Sequence, residues 1–171
     1  MLEAVMNTAL RLIPLDIAAI ASILDDLDQF EQRWGVSAET NRNLILEVAR
    51  QTGEMLHVSG ARAPWCGYLA INEDTRMFIG TCGFKGGPSD DGVVEIAYFT
   101  FPDNERRGHA TEMARALTEI ARRNGGVRAV IAHTRPETNA STRVLEKVGM
   151  TFQGEVMDPH DQRAWRWELR L

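Results

Sequence analysis

A change in the spacing of apolar residues constrains the fold of this chain more than any other feature of its sequence. Three strand-like runs, Trp65 to Ile71, Met77 to Phe84 and Val93 to Phe101, follow one another and are parted by loop sequences rich in Gly, Asp and Asn. From about Gly108 to Arg123 the apolar residues recur at helical spacing, and a further strand-like run follows at Val127 to His133. A meander followed by this strand, helix, strand succession predicts a mixed sheet with helices on both faces.

The flanking segments complete the predicted fold. A short strand from Ala9 to Pro14 precedes a helix that Asp16 caps and a second helix that Ser37 caps. The first of these helices is expected to bury the apolar residues at helical spacing, which are Ile17, Ile20, Ala21, Leu24 and Leu27. The last part of the chain adds a helix from Ala140 to Val148 and strands from Thr151 to Val156 and from Ala164 to Leu169. The fold class is α/β (α+β), with a mixed, mostly antiparallel central sheet of six to seven strands and about four helices.

Length and charge limit the classes of protein. The chain has 171 residues, of which 44% are hydrophobic, with no internal repeat or long linker, so we expect one domain over residues 1–171. Its net charge of -5 has the wrong sign for a nucleic-acid or anionic-membrane partner. Arg11, Pro14 and Asp16 interrupt the first apolar stretch, so neither a signal peptide nor a membrane span is expected, and the predicted location is cytoplasmic. Cys66 and Cys82 stand singly in apolar runs and are predicted to be buried thiols.

The segment Glu105 to Met113 has the sequence of an anion-binding helix start. Gly108 and Ala110 open a helix directly after a strand. Unpaired amides at a helix start point outward together, the helix dipole adds partial positive charge, and small side chains let a phosphate approach. Taken alone, a helix start with this spacing is more often explained by close packing than by a ligand site.

This segment resembles the acetyl-CoA pyrophosphate loop of the GCN5-related N-acetyltransferase (GNAT) superfamily, Gln/Arg-x-x-Gly-x-Gly/Ala, with Glu105 at the position where Gln or Arg is usual. Val94 to Phe99 is similar to the fourth strand of the family. Pro136 to Met150 resembles the signature Asn-x-x-Ser-x-x-x-Leu-Glu-Lys-x-Gly-Phe of the branch that includes ribosomal-protein N-terminal (RimJ/RimL-type) acetyltransferases. The resemblance implies the GNAT fold, acetyl-CoA as cosubstrate, and direct attack of a neutral amine on the thioester in a ternary complex.

The resemblance also implies site residues. Backbone amides around Tyr98 to Thr100 would bind the oxyanion. Asn139 would cap its helix, bond the pantetheine arm as in the family, or do both. Trp34 and Tyr98 are candidates for binding the acceptor. The cofactor-binding candidates are Phe99, Thr100, Arg106, Arg107, Gly108, His109, Ala110, Thr111 and Asn139.

Two residues are candidates for catalysis. Glu95 is the candidate base, acting directly or through water, because the family often places a carboxylate near this point of the fourth strand. Equally, Glu95 would be a structural carboxylate that faces solvent or pairs with a cross-strand cation. Ser141 follows the inward stripe of its helix, where its hydroxyl would either face the CoA sulfur or bond its own helix backbone. Many relatives supply a tyrosine acid where this chain has Leu145, and Met150 replaces the following phenylalanine.

No metal is expected. The four histidines, His57, His109, His133 and His160, have no mutual spacing typical of a metal site, and none is given a chemical role.

The favoured function is acetyl transfer from acetyl-CoA to a primary amine, either a protein N-terminus or a small-molecule amine. The alternative is a catalytically weak or inactive acyl-CoA-binding regulatory module, which Glu105 and Leu145 would suit. A purely structural interaction domain leaves the three motifs unexplained. Because many relatives pair, a homodimer is a further expectation.

Overall fold

The computed structural model describes residues 9–158 and 162–171. Within these ranges the chain forms seven strands and five α-helices. The strands are β1 Leu10–Pro14, β2 Gly67–Asn72, β3 Met77–Phe84, β4 Val93–Thr100, β5 Ala129–Thr134, β6 Thr151–Met157 and β7 Arg163–Arg170. The helices are α1 Ile17–Asp25, α2 Leu27–Trp34, α3 Arg42–Ser59, α4 His109–Arg123 and α5 Ala140–Val148, with short 3-10 turns at Glu39–Asn41 and Pro102–Asn104.

The seven strands form one sheet in the order β1-β2-β3-β4-β5-β7-β6. The pair β4 and β5 is parallel, and the other neighbouring pairs are antiparallel. The parallel pair is joined by α4, as a parallel connection requires a crossover. The predicted fold class is therefore confirmed, with a mixed and mostly antiparallel sheet.

Helices cover both faces of this sheet. A β-carbon added at Gly80 on β3 would lie 3.2 Å from Met113 Cε on α4, whereas one added at Gly67 on β2 would lie 3.2 Å from Thr52 Cγ2 on α3. Gly67 pairs with Gly83, which is three residues from Gly80 on the same strand. Because side chains alternate along a strand, α3 and α4 lie on opposite faces.

The prediction of one continuous helix after β1 is wrong, because this segment forms two helices, α1 and α2. α1 ends at Asp25, and Asp26 takes an extended conformation in which its side chain accepts a hydrogen bond from Gln29 N, capping α2. The apolar stripe is consequently shifted: Ile17 is 78% exposed, and Ile23 is buried in its place. Of the five residues predicted for that stripe, Ile20 and Leu27 are buried and Ala21 and Leu24 are exposed.

The predicted cap of the next helix is also wrong. Ser37 forms an isolated parallel bridge with Met77, donating its amide to Arg76 O and accepting from Phe78 N. α3 starts later, at Arg42, after the 3-10 turn. The backbone of Ser37 is therefore hydrogen-bonded to the sheet next to β3. Its side chain does not cap the helix.

Both cysteines are buried free thiols, as predicted. Burial raises the pKa of Cys66 to about 11, and burial raises the pKa of Cys82 further. Within residues 9–158 and 162–171, none of the helices combines the length and the apolar content that a bilayer crossing requires.

Candidate active site

The turn before α4 leaves backbone amides open to an approaching ligand. Gly108 caps the helix with φ 88° and ψ -5°, and the first amide bonded back to it is that of Glu112. The amides of His109, Ala110 and Thr111 consequently have no carbonyl acceptor in a preceding turn of the helix. A β-carbon at Gly108 would meet nothing within 4 Å, so space lies in front of these donors. This is the geometry of an anion site at a helix start.

A cavity of about 750 Å³ lies between this turn, the end of β4 and one side of α5. Seven of the predicted cofactor-binding residues line it: Phe99, Thr100, Arg106, Gly108, His109, Ala110 and Thr111. Tyr98 and Ser141 line it as well. Arg107 and Asn139 are not part of its wall. The cavity volume is within the range typical of small-molecule sites.

Two basic residues of the cavity were missed by sequence reasoning. Arg143 and Lys147 of α5 line it together with Arg106, against the single carboxylate of Glu105. They stand four residues apart and therefore share one side of the helix. This spacing is the sequence pattern by which they could have been predicted to lie together. The cavity is positive in a chain whose net charge is -5, so it suits an anionic ligand.

Thr100 carries an unsatisfied polar group at the wall of this cavity. Its Oγ1 is buried and, among the residues that the structure describes, has no hydrogen-bond partner. Buried hydroxyl groups are normally bonded, and an exception requires an explanation such as a ligand or a water molecule. Thr100 is the last residue of β4, where the strand approaches the cavity.

Strands β4 and β5 separate beside the cavity. Their ladder ends at the pair of Glu95 and Ile131, yet β4 continues to Thr100 and β5 to Thr134. The two strands run parallel up to this pair and diverge beyond it. The sheet therefore has a split between its two halves.

Backbone amides of β4 point into this split. On its other side β4 is bonded to β3, where Phe101 donates its amide to Ile79 O. The direction of the amide alternates from residue to residue along a strand. The amides of Tyr98 and Thr100 thus point away from β3 and towards the split.

Tyr98 and Ser141, which both line the cavity, are hydrogen-bonded to each other. The phenol oxygen of Tyr98 lies 3.0 Å from Ser141 Oγ and donates to Ser141 O at 3.3 Å. Burial raises the pKa of Tyr98, and the bond to Ser141 offsets only part of this effect. The hydroxyl of Ser141 thus has its partner on β4, which neither of the two sequence-based alternatives for this residue had named.

Glu95 lies on the opposite face of the sheet. It is three residues from Tyr98 on the same strand, so its side chain points away from α5. Glu95 Oε1 lies 2.9 Å from His133 Nδ1 and 2.5 Å from Lys85 Nζ. Burial alone would raise the pKa of Glu95, but the hydrogen bonds from Lys85 and His133 outweigh it, and the pKa is lowered. Glu95 thus pairs with a cation from the neighbouring strand end, which is one of the two alternatives to the role of base that were expected from the sequence.

His133 is a third residue whose place in the site sequence reasoning missed. It is the penultimate residue of β5 and lies beyond the last pair that β5 forms with β4. No local pattern marked it, because its partner Glu95 is 38 residues away in the sequence.

The remaining candidates lie at the margin of the site or apart from it. Asn139 Oδ1 accepts the amides of Ser141 and Thr142, which confirms its expected role as a helix cap. Arg107 is exposed. Trp34, at the end of α2, packs on Phe30, and Arg11 Cζ lies 4.9 Å from the centre of its indole ring. The structure does not place Trp34 on the cavity wall.

Within the two described ranges, no three His, Cys, Asp or Glu side chains come together as a metal site would require. His160 lies outside those ranges.

Comparison with known proteins identifies the family. Residues 9–151 match the model of the acetyltransferase (GNAT) domain. The uncharacterised N-acetyltransferase YjdG of Bacillus subtilis is 25% identical over 142 residues, covering 82% of this chain and 84% of that protein.

Two solved structures have a similar fold. One is the ribosomal L7/L12 α-N-protein acetyltransferase RimL in complex with coenzyme A, with 17% identity, a TM-score of 0.66 and 96% of each chain covered. The other is spermidine N-acetyltransferase from Vibrio cholerae in complex with CoA and spermine, with 13% identity, a TM-score of 0.65 and 96% of each chain covered.

The family match includes the whole arrangement described above. It extends from before β1 to the first residue of β6 and so contains the α4 turn, the split between β4 and β5, and α5. It spans far more than half of the 171 residues. The chain belongs to the acetyltransferase (GNAT) domain family and is an acetyltransferase.

Proposed function

We propose that this enzyme transfers an acetyl group from acetyl-CoA to a primary amine. The observation that carries the proposal is the continuity of one cavity from the open amides after Gly108 to Ser141, beside the split between β4 and β5. A donor bound at the helix start would then direct its reactive end towards the split.

The phosphates of the donor suit the basic end of the cavity. The amides of His109, Ala110 and Thr111 would bind the pyrophosphate, since they are free donors at the positive end of a helix dipole. Arg143 and Lys147 would neutralise further phosphate charge. The residues present therefore fit acetyl-CoA, which supplies an activated acetyl thioester.

The inner end of the cavity suits the acyl group. The amides of Tyr98 and Thr100 are aimed at the split, where they would bind the carbonyl oxygen as it becomes negative. The hydroxyls of Tyr98 and Ser141 would lie on the side of the departing sulfur. Preorganised donors of this kind stabilise developing charge without reorganisation.

The acceptor amine would enter from the face that carries Glu95. A bond forms between the amine nitrogen and the acetyl carbon, the carbon–sulfur bond breaks, the amine proton passes to a base, and the thiolate is released or protonated. A protonated amine, with a reference pKa of about 8 for an α-amino group or about 10 for lysine, must first lose a proton to become nucleophilic. Glu95 and the groups bonded to it are in position to serve this step.

The acceptor class is a protein N-terminus or a small-molecule amine. One structural neighbour acts on the ribosomal protein L7/L12, and another is a spermidine acetyltransferase. Trp34 stays a candidate for contacting the acceptor, because an aromatic face can bind a cationic amine.

Thermal unfolding with and without acetyl-CoA tests the donor site. A ligand that binds only the native state stabilises it by about 2.7 kcal/mol at a hundredfold excess over Kd, so the midpoint of the wild-type protein should rise. In Gly108→Asp a carboxylate would occupy the open space in front of the amides, and the rise should vanish. Gly125→Asp is the control for the added charge, because it introduces the same carboxylate at an exposed glycine with nothing within 4 Å.

Turnover tests the reaction itself. Release of CoA thiol is followed with a panel of N-terminal peptides, polyamines and other amines. Stabilisation by acetyl-CoA in the wild type and in Gly125→Asp, together with amine-dependent CoA release, supports the proposal. A wild-type protein that acetyl-CoA does not stabilise would refute it.

A further inference from the structure

We propose that the imidazole of His133 accepts the proton of the acceptor amine and that Glu95 is its positioning residue. The inference rests on the proposed function and deepens it, because it assigns the base of that reaction to a side chain on β5.

The backbone places His133 at the split. Ile131 is the last residue of β5 that pairs with β4, and His133 is two residues further along. Residues two apart on a strand share a face, so His133 lies on the same face as Glu95, the partner of Ile131. Its side chain therefore stands where the two strands diverge, on the side opposite to Tyr98 and Ser141.

The contact with Glu95 determines which ring nitrogen is available. Nδ1 of His133 lies 2.9 Å from Glu95 Oε1, and an ionised carboxylate can only accept a hydrogen bond. In the neutral ring the hydrogen is thus on Nδ1, and Nε2 carries the free lone pair. The side chain of His133 is 22% exposed, so the ring is accessible rather than sealed in the core. A carboxylate that fixes the tautomer of a basic histidine is an established catalytic arrangement.

The environment of Glu95 suits a positioning role better than that of a base. Its Oε1 is shared by His133 and Lys85, and the contact with Lys85 is 2.5 Å long. These partners hold the pKa of Glu95 below its ordinary value despite burial, so the carboxylate is a weak proton acceptor at neutral pH. An imidazole, with a reference pKa of about 6.5, is closer to the working range.

Charges from three strands surround the imidazole. Glu95 on β4 contacts the ring, and Lys85, directly after β3, contacts the same carboxylate oxygen. On β7, Arg166 is the register partner of His133, and Glu168 lies opposite Ile131. Arg166 Nη2 is 3.3 Å from Glu168 Oε2, so its charge is partly compensated. A proton gained by His133 is therefore placed among two carboxylates and two cations.

The experiment compares the pH profiles of kcat and kcat/KM for the wild type, His133→Gln, His133→Ala and Glu95→Gln. We expect both His133 variants to lose about 10²- to 10⁴-fold in kcat, the usual range for a general base, with little change in KM for acetyl-CoA. They should also lose the decline of rate on the acidic side of neutrality. Glu95→Gln should lose less and keep that decline, because the histidine is still present.

Two further measurements separate the possible outcomes. Added imidazole should restore part of the rate of His133→Ala, which a merely structural role would not allow. Thermal stabilisation by acetyl-CoA in every variant shows that the donor site is intact and the protein folded. If the wild type turns over and the His133 variants match it in rate and pH profile, or if Glu95→Gln alone loses the acidic decline, the assignment is overturned while the proposed function stands. If acetyl-CoA does not stabilise the wild type, the proposed function fails, and this inference fails with it.

Discussion

The phenol oxygen of Tyr98 lies 3.0 Å from the hydroxyl oxygen of Ser141, and this contact ties the end of β4 to the first turn of α5. The end of β4 and the first turn of α5 both line the cavity. The pair therefore links the shape of the site to the stability of the fold.

Tyr98→Phe and Ser141→Ala should each lower the free energy of unfolding by about 1 kcal/mol, because each removes the contact between the two hydroxyls. The double variant should lower the free energy of unfolding by less than the sum of the two single effects, with a coupling energy of about 0.5–1.5 kcal/mol. Urea unfolding of the four proteins measures this cycle. Strictly additive costs would show that the contact contributes nothing.

Gly80→Ala should be strongly destabilising. A β-carbon at this position would lie 2.4 Å from Phe99 O and 3.1 Å from Thr100 Cα, both of them backbone atoms of β4. The strands must move apart, at a cost of about 1–3 kcal/mol or more, and acetyl-CoA binding should weaken because Thr100 lines the cavity. Gly125→Ala is the control, since nothing lies within 4 Å of its β-carbon. Equal unfolding midpoints in urea for the two variants would contradict this account.

The double variant Arg143→Gln/Lys147→Gln should bind acetyl-CoA about tenfold more weakly, because two cations leave the cavity wall. The affinity should also depend less on salt concentration. Arg122→Gln/Arg123→Gln removes the same charge from the exposed end of α4 and should leave binding unchanged. Titration calorimetry at two ionic strengths makes the comparison; equal losses in both variants would indicate a long-range effect of net charge instead.

Acidification should destabilise the protein through Glu95. Its pKa in the folded state is below the ordinary value of 4.5, so the ionised form stabilises the fold. That contribution is fully present above the unfolded-state pKa and is lost as the pH falls through the folded-state pKa. Between pH 5 and about pH 3, the wild type should therefore lose more stability than Glu95→Gln. Denaturant unfolding at each pH tests this, with the exposed Glu137→Gln as control; a wild-type curve parallel to that of Glu95→Gln would argue against the effect.

The two thiols should be unreactive in the native protein. Cys66 and Cys82 are buried, and burial raises the pKa of both, to about 11 for Cys66. Because the thiolate is the reactive form, a chromogenic disulfide reagent at pH 7.5 should modify both only on unfolding. The observation that would contradict the structure is rapid labelling of either thiol without denaturant.

Much of the fold could be predicted from the sequence, because its signals are local. The apolar period distinguishes strands from helices, and the glycine at the start of α4 marks a turn whose positive φ favours glycine. The strand Val93–Thr100 and the helix Ala140–Val148 were accordingly located to within a residue. The break between α1 and α2 was missed because a continuous apolar stripe can be read through Asp26, and only the packing against α3 decides which side is buried.

The sequence by itself determined the family, the turn at Gly108 and, apart from the break between α1 and α2, the order of the elements, since each depends on residues close together in the chain. Only the tertiary structure decided the partners of the polar side chains. Glu95 meets His133 and Tyr98 meets Ser141 across 38 and 43 residues. Such pairs depend on strand register, on the alternation of faces and on the point where two strands separate, and these are properties of the assembled sheet.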